Sequence, residues 1–330
     1  MIGVGIAGAG HFAAMHAQAL RAVPGFRVVA AAAGDLAAAT AFTGTYGGRP
    51  YTDWRVLLDD PAVEVVLITL PHHLHAPAAI AAAQAGKHVL VEKPMALTLA
   101  ECRAMAAAAA QADTQLLVGQ LMRFVRPCQT ARAYLASGAL GPVRYGRSVM
   151  TKLWMEGNRR PWHLQPETGG GMLMTVGIHA LDRLVWLMGQ DVDAVAAMSG
   201  HGFHQQAVAD IDLLLLRFAE GGLGEVASVG YRDTTMVNVT EIVCEGGSLR
   251  LDLSGRVQIL RDGIAQDLAG ACEPDWMLRG VEREWQALAA MITGGPPPVT
   301  PAAAGHLIAC IEAAQQAARL RREVAVQAWG

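Results

Sequence analysis

A lysine and a histidine are the residues best suited to carry chemistry in this sequence. Lys93 stands in Glu92-Lys93-Pro94, directly after the apolar run Lys87–Glu92, and His179 follows Gly177 at the start of an amphipathic segment. A partly desolvated ammonium can have a lowered pKa and donate to a hydroxyl or a developing alkoxide, whereas a guanidinium cannot be tuned to give up its proton. Histidine titrates near neutral pH and suits proton transfer. The two residues therefore predict proton chemistry on a hydroxyl.

Lysine is rare in this chain, which adds weight to Lys93. Only three of the 26 basic residues are lysines, namely Lys87, Lys93 and Lys152. Lys87 lies at the start of a strand and is expected to be structural. A surface lysine ahead of a proline, and a buried hydrogen-bonded histidine at 179, are the alternatives without chemistry. Pro94 is a candidate for a cis peptide bond.

A dinucleotide-binding loop is indicated at the start of the chain. The strand pattern Ile2–Ala7 runs into Gly8-Ala9-Gly10-His11-Phe12-Ala13, a GxGxxA sequence. The first glycine permits the tight turn, the second lets a pyrophosphate approach the backbone, and Ala13 allows close packing of helix on strand. The helix that begins near His11 offers N–H groups to the phosphates. A glycine-rich turn without a ligand is the alternative.

The usual ribose-binding acid is absent from its expected place. About 20 positions after the glycine loop, where an acidic residue should bind the ribose 2′-hydroxyl, the residue is Ala33. Asp35 comes two residues later and is better explained as the N-cap of the next helix. Gly34 supplies no arginine for a 2′-phosphate. The sequence leaves NAD and NADP open as cofactors.

The elements that would position these residues change character near residue 120. The first 119 residues alternate buried strands with alanine-rich helices, a pattern that predicts a doubly wound parallel sheet. The remaining residues predict an open, mainly antiparallel sheet with helices, in which successive strands pair as an antiparallel meander. We therefore expect an α/β Rossmann domain over 1–120 and an α+β substrate-binding and oligomerisation domain over 121–330. The expected elements are strands at Ile2–Ala7, Arg27–Ala33, Val63–Leu70, Lys87–Glu92, Gln115–Gly119, Val143–Leu153, Val192–Gly200, Val208–Phe218, Leu223–Tyr231, Val239–Cys244, Ser248–Leu253 and Val257–Leu260, and helices at Ala13–Val23, Leu36–Tyr46, Ala76–Ala85, Leu99–Ala112, Thr130–Ser137, His179–Met188, Asp275–Ile292 and Leu307–Leu320.

Composition excludes several classes of protein. The chain has 330 residues, 52% of them hydrophobic, and a formal net charge of −3, which provides no basic field for nucleic acid. No apolar run approaches the ~18–20 residues of a membrane span. Five scattered cysteines without a CxxC, and His72 and His73 without supporting carboxylates, indicate neither a disulfide framework nor a metal site. We expect a cytoplasmic protein with reduced thiols.

Several motifs together resemble the Gfo/Idh/MocA family of glucose–fructose oxidoreductases, inositol dehydrogenases and rhizopine-catabolism oxidoreductases. The motifs are Glu92-Lys93-Pro94, Thr52-Asp53, Leu58-Asp59-Asp60-Pro61, Pro71 to His75, Arg123-Phe124, Ser137–Gly141 and Gly169-Gly170-Gly171 through His179 to Asp182.

The resemblance implies roles for individual residues. Lys93 and His179 match the catalytic positions, and His75 the nicotinamide side of the cofactor site. The family's aspartate four residues before the histidine is Thr175 here, so Asp182, one turn after His179, is a possible substitute, with a packing role equally open. Candidate cofactor contacts are Gly8, Gly10, His11, Phe12, Ala33, Leu70, Pro71, His75, Glu92 and Lys93. Candidate substrate contacts are Arg123, Arg159, Arg160, Trp162 and His163, where the two adjacent arginines suit an anionic group or are simply solvated.

The function implied is hydride transfer between a nicotinamide and a carbinol or carbonyl carbon of a sugar, polyol, inositol or related cyclic hydroxy compound. Two alternatives stay open: a non-catalytic NAD(P)-binding sensor, motivated by Thr175, and the NAD-dependent glycosidase chemistry of some relatives. Leu213, Leu214, Leu215 and Leu216 place apolar groups on both faces of one strand. That pattern predicts a helix layer on one face and a second subunit on the other, in a homodimer or homotetramer.

Overall fold

The computed structural model describes residues 1–233, 235–252 and 255–330. The chain forms two units, Met1–Leu121 with Met277–Gly305, and Met122–Trp276 with His306–Gly330. The domain boundary expected between residues 120 and 121 lies within one residue of the point where the chain passes from the first unit to the second. The expected division places residues 277–305 in the second domain, whereas in the structure this segment belongs to the first unit.

The described residues form nine α-helices and fifteen strands. The strands are β1 (Ile2–Ala7), β2 (Phe26–Ala32), β3 (Arg49–Tyr51), β4 (Val65–Ile68), β5 (His88–Glu92), β6 (Leu116–Gly119), β7 (Val143–Leu153), β8 (Val192–Gly200), β9 (Ile211–Phe218), β10 (Leu223–Tyr231), β11 (Val237–Cys244), β12 (Gly247–Asp252), β13 (Val257–Arg261), β14 (Ile264–Asp267) and β15 (Val324–Ala325). The helices are α1 (His11–Leu20), α2 (Leu36–Tyr46), α3 (Trp54–Leu58), α4 (His75–Gln84), α5 (Leu99–Gln111), α6 (Arg126–Ala136), α7 (Ile178–Met188), α8 (Trp276–Ile292) and α9 (Pro301–Leu320).

The first unit is built on the expected parallel sheet. Its strand order is β3-β2-β1-β4-β5-β6, and every pairing is parallel. All four residues of β4 are buried, which accounts for the unbroken apolar sequence of that strand. From β1 the chain adds strands first on one side (β2, β3) and then on the other (β4, β5, β6). Ligands of open α/β sheets bind at this switch point, which lies between β1 and β4. The Rossmann fold class is therefore confirmed.

Local sequence explains where several helices begin. The Asp35 carboxylate accepts from the Ala38 N–H at 2.8 Å, so the expected N-cap of α2 is confirmed. Thr98 and Glu101 form a reciprocal capping box at the start of α5. Helix α8 buries Trp285 in the first unit, with its ring 5.2 Å from that of Phe26.

Two short elements of the first unit were not expected from the sequence. Strand β3 has three residues and lies at the edge of the sheet, where Pro50 can be accommodated without losing a ladder bond. Helix α3 has five residues, capped by Asp53, and is too short to show a helical period. Both pack onto β2, and neither carries enough residues to produce a repeating pattern.

The second unit contains a nine-stranded sheet in the order β14-β13-β12-β11-β7-β10-β9-β8-β15. It is mainly antiparallel, but β7 pairs with β10 in parallel, from Tyr145 beside Leu223 to Leu153 beside Tyr231. The expectation of a plain antiparallel meander is therefore wrong at its centre. Strand β7 enters between β10 and β11, and the chain returns to it after passing through α7, β8 and β9. Gly221-Gly222 makes the expected tight connection between β9 and β10.

The faces of this sheet differ in burial. Leu214 and Leu216 are buried on the face that α7 covers, whereas Leu213 and Leu215 are exposed. Strand β9 begins at Ile211 rather than at Val208, which is buried in the preceding loop. The expected end of β12 at Leu253 lies outside the described residues, as do Thr234 and Ser254.

Candidate functional site

The dinucleotide loop lies where β1 ends, against the end of β4. Gly8 has a φ of +103°, and a Cβ there would lie 2.7 Å from the Thr69 carbonyl oxygen. The Thr69 hydroxyl donates to the Gly8 carbonyl at 2.6 Å, and the Gly8 N–H donates to Ala32 at 3.0 Å. Only glycine meets both the left-handed conformation and the close approach. The loop is therefore held by backbone contacts to both neighbouring strands.

The N-terminus of α1 fits the diphosphate of a dinucleotide. Gly10 is the N-cap and supplies no side-chain acceptor to the first turn. A Cβ on Gly10 would meet nothing within 4 Å, so open space lies beside the helix end. No acidic residue occurs in the first turn, and the uncapped N–H groups carry the positive end of the helix dipole. His11 is exposed there, and Phe12 is half-buried with its ring edge-on to His16.

The strand after α1 ends without a ribose-binding acid. The Ala33 N–H donates to Tyr51 of β3 at 3.1 Å, and the Asp35 carboxylate is engaged as the cap of α2. Gly34 has open space around it. Neither a carboxylate nor an arginine stands at Ala33 or Gly34, so NAD and NADP are not distinguished by these residues.

His75 joins the ends of β4 and β5. Its ring is almost fully buried, with Nδ1 2.8 Å from the Pro94 carbonyl and Nε2 2.8 Å from the Leu70 carbonyl. Burial lowers the pKa of His75, although the two carbonyl oxygens and Glu92 oppose that shift. Both partners are acceptors, so the neutral ring donates to one of the two carbonyls and only an imidazolium could donate to both. His75 therefore packs between the segments that contain Leu70-Pro71 and Lys93-Pro94.

Lys93 follows directly after the carboxyl end of β5 and is partly exposed, whereas Glu92 before it is buried. The Lys93–Pro94 peptide bond is cis, as the sequence indicated. Glu92 lies 3.1 Å from His16 Nε2 on α1, so its carboxylate faces the interior of the unit. Because β1, β4 and β5 are adjacent, the glycine loop and Lys93 occupy one edge of the sheet, two strand spacings or about 10 Å apart.

In the second unit, Thr175 and His179 lie on consecutive turns. A five-residue π-helical turn, Leu173–Gly177, precedes α7, and Thr175 is buried within it. His179 is half-buried in the first turn of α7. A Cβ on Gly177 would lie 2.6 Å from the Ser228 hydroxyl, so glycine is required for this turn to pack on β10. Such π turns are frequent at functional sites, and the sequence did not reveal this one.

Asp182 is paired with Arg123. Its Oδ1 accepts from Arg123 Nε at 2.8 Å and from Nη2 at 2.7 Å, and both side chains are buried. Burial raises the pKa of Asp182, while the Arg123 and Arg183 charges oppose the shift. The ion pair gives each residue a packing role. In this arrangement the Arg123 guanidinium points at Asp182, and the carboxylate that could have replaced the family's aspartate is committed to Arg123.

In the loop before Gly169-Gly170-Gly171, the two adjacent arginines, Arg159 and Arg160, have different environments. Arg159 is anchored, with Nε donating to the Trp154 carbonyl at 2.8 Å and its guanidinium 4.5 Å from the Trp154 ring centroid. Arg160 is exposed, with its Nη1 donating to the Gly157 and Arg159 carbonyls and its backbone N–H donating to His163 Nδ1 at 3.0 Å. Trp162 is stacked on the buried His163 with ring centroids 3.6 Å apart. Arg160 and Trp162 are therefore the members of this set that offer surface to a ligand.

A buried cluster in the first unit, which the sequence patterns did not reveal, is formed by His16, Glu92, Glu284 and Trp285. One residue of it stands out in the sequence. Glu284 lies on the apolar face of α8, three residues after Val281 and four before Leu288, where a hydrophobic residue is expected.

These observations define a class of protein, one with a Rossmann-type first domain, whose glycine loop fits a dinucleotide, and a second domain built on an open sheet. The chain belongs to the Gfo/Idh/MocA family. The family's model for its oxidoreductase domain with the NAD-binding Rossmann fold matches residues 2–120, and the model for its C-terminal domain matches residues 128–250.

Named relatives agree with this assignment. Levoglucosan dehydrogenase of Pseudarthrobacter phenanthrenivorans is 31% identical over 262 residues, which are 68% of this chain and 66% of that protein. Inositol 2-dehydrogenase of Streptomyces avermitilis is 30% identical over 86% of this chain and 83% of its own. The crystal structure of aldose-aldose oxidoreductase from Caulobacter crescentus, complexed with glycerol, superposes with a TM-score of 0.87 at 27% identity, covering 98% of this chain and 99% of that one.

The chain covers less than two thirds of several curated relatives, among them levoglucosan dehydrogenase at 66% and the 1,5-anhydro-D-fructose reductase of Ensifer adhaerens at 54%. Among the described residues, no helix combines the length and apolar character needed to cross a membrane.

Proposed function

We propose that this protein is an NAD(P)-dependent dehydrogenase or reductase of a sugar, polyol, inositol or related cyclic hydroxy compound. The observation that carries the proposal is Lys93, a partly exposed lysine at the carboxyl end of β5 on the same sheet edge as the glycine loop. Ligands of open α/β sheets bind outside the carboxyl ends of the strands. Relatives named as dehydrogenases of levoglucosan and inositol support the substrate class.

The bound nicotinamide dinucleotide would accept or deliver the hydride. The residues that would hold it are Gly8 and Gly10, which would let the diphosphate approach the N–H groups of α1, and Leu70-Pro71 at the end of β4. His75 lies within hydrogen-bond distance of the Leu70 and Pro94 carbonyls and packs between the two segments.

Oxidation of an alcohol also releases the hydroxyl proton, and Lys93 and His179 are proposed to manage it. The Lys93 ammonium would donate a hydrogen bond to the substrate oxygen and stabilise a developing alkoxide, and, because its pKa can be tuned, it would share the acid–base work on the hydroxyl proton with His179. The His179 imidazole would accept the proton in oxidation and return it in reduction. Thr175, as a neutral residue, would hydrogen-bond but could not stabilise an imidazolium by charge. Arg160 and Trp162 would contact substrate through a charge and an apolar ring face.

The test is a spectrophotometric screen. NAD and NADP are each offered with polyols, inositols, sugars and sugar acids, and reduced cofactor is measured by absorbance. His179→Asn should lower kcat by at least tenfold on any substrate found, with NADH affinity unchanged. NADH binding without turnover of any compound would favour the sensor alternative, and release of an aglycone without net reduction of the cofactor would favour the glycosidase alternative.

We also infer a homodimer or homotetramer formed through the sheet of the second unit. Met198, Leu213 and Leu215 are 74%, 45% and 63% exposed, and Met198 is opposite Leu213 in the β8–β9 ladder, so they form one apolar surface. Light scattering should give a multiple of the chain mass, and Leu215→Glu should reduce it. A monomeric wild type at micromolar concentration would contradict the inference.

A further inference from the structure

A cluster of ionisable groups lies inside the first unit, away from its surface. His16 of α1, Glu92 of β5 and Glu284 of α8 each contribute one atom to a group whose members are all within 4.8 Å of one another. The exposed fraction is 0% for His16 and Glu284 and 7% for Glu92. The cluster is adjacent in sequence to Lys93, and His16 belongs to the helix whose N-terminus forms the dinucleotide loop.

Hydrogen bonds fix the protonation of His16. The indole Nε1 of Trp285 is always a donor, and it lies 3.1 Å from His16 Nδ1, which must therefore be the acceptor. The ring proton is then on Nε2, which donates to Glu92 Oε1 at 3.1 Å. Glu92 Oε1 is thus the acceptor of this bond, and the imidazole, with one ring proton, is neutral.

Glu284 lacks any such compensation. Neither of its carboxyl oxygens has a hydrogen-bond partner among the described residues. Burial, followed by the repulsion of the neighbouring Glu92 charge, raises the pKa of Glu284 well above its ordinary range. Two ionised carboxylates with oxygens within 4.8 Å of each other inside a protein repel, so such a pair favours retaining one proton.

The same three residues have the composition of a metal site, but His16 argues against one. A neutral imidazole has one ring lone pair, and the Trp285 indole uses it. Coordination through Nε2 would need the imidazole to lose its remaining proton. A proton on Glu284 neutralises the pair without that cost.

We propose that Glu284 is a neutral carboxylic acid in the folded protein. It is a positioning residue because its neutrality spares Glu92 a second buried charge within 4.8 Å, which leaves Glu92, the adjoining Lys93 segment and α1 in place. The titratable groups facing Glu284 are Glu92 from β5 and His16 from α1. Ionisation of Glu284, as pH rises through its raised folded pKa, would place two negative charges close together at the base of the Lys93 segment. The consequence for Lys93 rests on the proposed function, whereas the protonation of Glu284 does not.

The direct test is infrared spectroscopy of the purified protein near pH 7.5. Wild type should show the C=O stretch of a protonated carboxyl group, and Glu284→Gln should lack it, since the amide keeps the size and a donor but cannot ionise. Glu282→Gln is the matched control on the same helix, because Glu282 is ion-paired with Arg279 at 2.8 Å. The band should persist in the control. Persistence of the band in Glu284→Gln would overturn the proposal.

Unfolding in urea supplies a second readout. The folded pKa of Glu284 is raised above the unfolded value, so stability should fall as pH rises from about 4.5 toward the folded pKa. Over that window the unfolding equilibrium constant of wild type should rise by up to tenfold per pH unit relative to Glu284→Gln. In Glu92→Gln, which keeps the neighbour neutral, the decline should level off at a lower pH. Parallel curves for all three proteins would overturn the proposal, as would a stoichiometric divalent metal held by wild type and lost from Glu284→Gln.

The effect on positioning is measured as a pH profile of kcat. If the screen yields a substrate, kcat of wild type should fall at alkaline pH relative to Glu284→Gln, with the KM for the dinucleotide unchanged and the two proteins within twofold at pH 7. Identical kcat profiles with a confirmed infrared band would overturn the positioning role alone. Failure to find a substrate would count against the proposed function and leave the infrared and unfolding results intact.

Discussion

Replacing each of two lysines by arginine separates chemistry from charge. Lys93→Arg keeps a cation at the end of β5 but removes the group whose pKa can be tuned. Lys87→Arg is the matched control, because Lys87 Nζ donates to the Val63 carbonyl at 2.7 Å and a guanidinium can make the same bond. General acid–base assistance is typically worth 10²–10⁴-fold in rate. We therefore expect kcat of Lys93→Arg to fall by that factor, which is about 3–5 kcal/mol of activation free energy.

Cofactor binding should be nearly unaffected by Lys93→Arg. The N–H groups proposed to bind the diphosphate lie at the end of β1, about 10 Å from β5 across β4, so their geometry does not depend on the Lys93 side chain. The assay pairs initial rates with NADH titration by fluorescence, for both variants and wild type. Turnover of Lys93→Arg within threefold of wild type would refute the role assigned to this lysine. A matching loss in Lys87→Arg would show that the rate responds to the fold and not to the chemistry.

Three further substitutions have distinct expected outcomes. Gly10→Ala should weaken NADH binding at least tenfold without lowering the melting temperature, since the added Cβ enters open space where the diphosphate is expected, whereas Gly8→Ala should destabilise the fold because its φ is +103° and its Cβ would contact Thr69. Asp182→Ala should cost about 3–5 kcal/mol in urea unfolding, since it leaves the buried Arg123 charge unpaired. Asp212→Asn should stabilise the protein by up to about 3 kcal/mol above pH 6, because burial raises the pKa of Asp212 to about 6 and its stabilising protonated form is lost as pH rises from about 4.

Controls keep these outcomes interpretable. Arg144→Ala removes an exposed ion pair with Glu245 and should change stability by less than about 1 kcal/mol. An equal loss in Asp182→Ala would contradict the buried-pair argument. NADH binding at wild-type strength in Gly10→Ala would place the diphosphate elsewhere, and Asp212→Asn with no gain at pH 8 would show that Ser199, 2.6 Å from Asp212, compensates the buried charge.

Local patterns made the first unit predictable. Each long strand of its sheet contains an apolar run, and Gly8 and Gly10 mark the turn into the helix after β1. The Asp35 cap could be read from one residue because a cap is a contact between near neighbours. Strand β3 and helix α3 were missed because three and five residues carry no periodicity.

Contacts distant in sequence were the ones that patterns did not show. The parallel pairing of β7 with β10 brings together residues such as Tyr145 and Leu223, and nothing local distinguishes it from a hairpin. The partner of Arg123 lies 59 residues away at Asp182, so both residues looked available to a ligand. The role of Glu284 depends on Glu92 and His16, which are far earlier in the chain. Sequence type suggests what a side chain can do, and its partners decide what it does.

The division of the first unit between the two ends of the chain has a consequence for biosynthesis. Residues 1–121 leave the ribosome first, but Glu284 and Trp285 are made only after the whole of 122–276. Until then Phe26 and His16 lack the indole that covers them. The nascent Rossmann unit therefore remains incomplete while the second unit is translated. A chain that ends before Met277 would leave the part of the first unit's core around Phe26 and His16 uncovered.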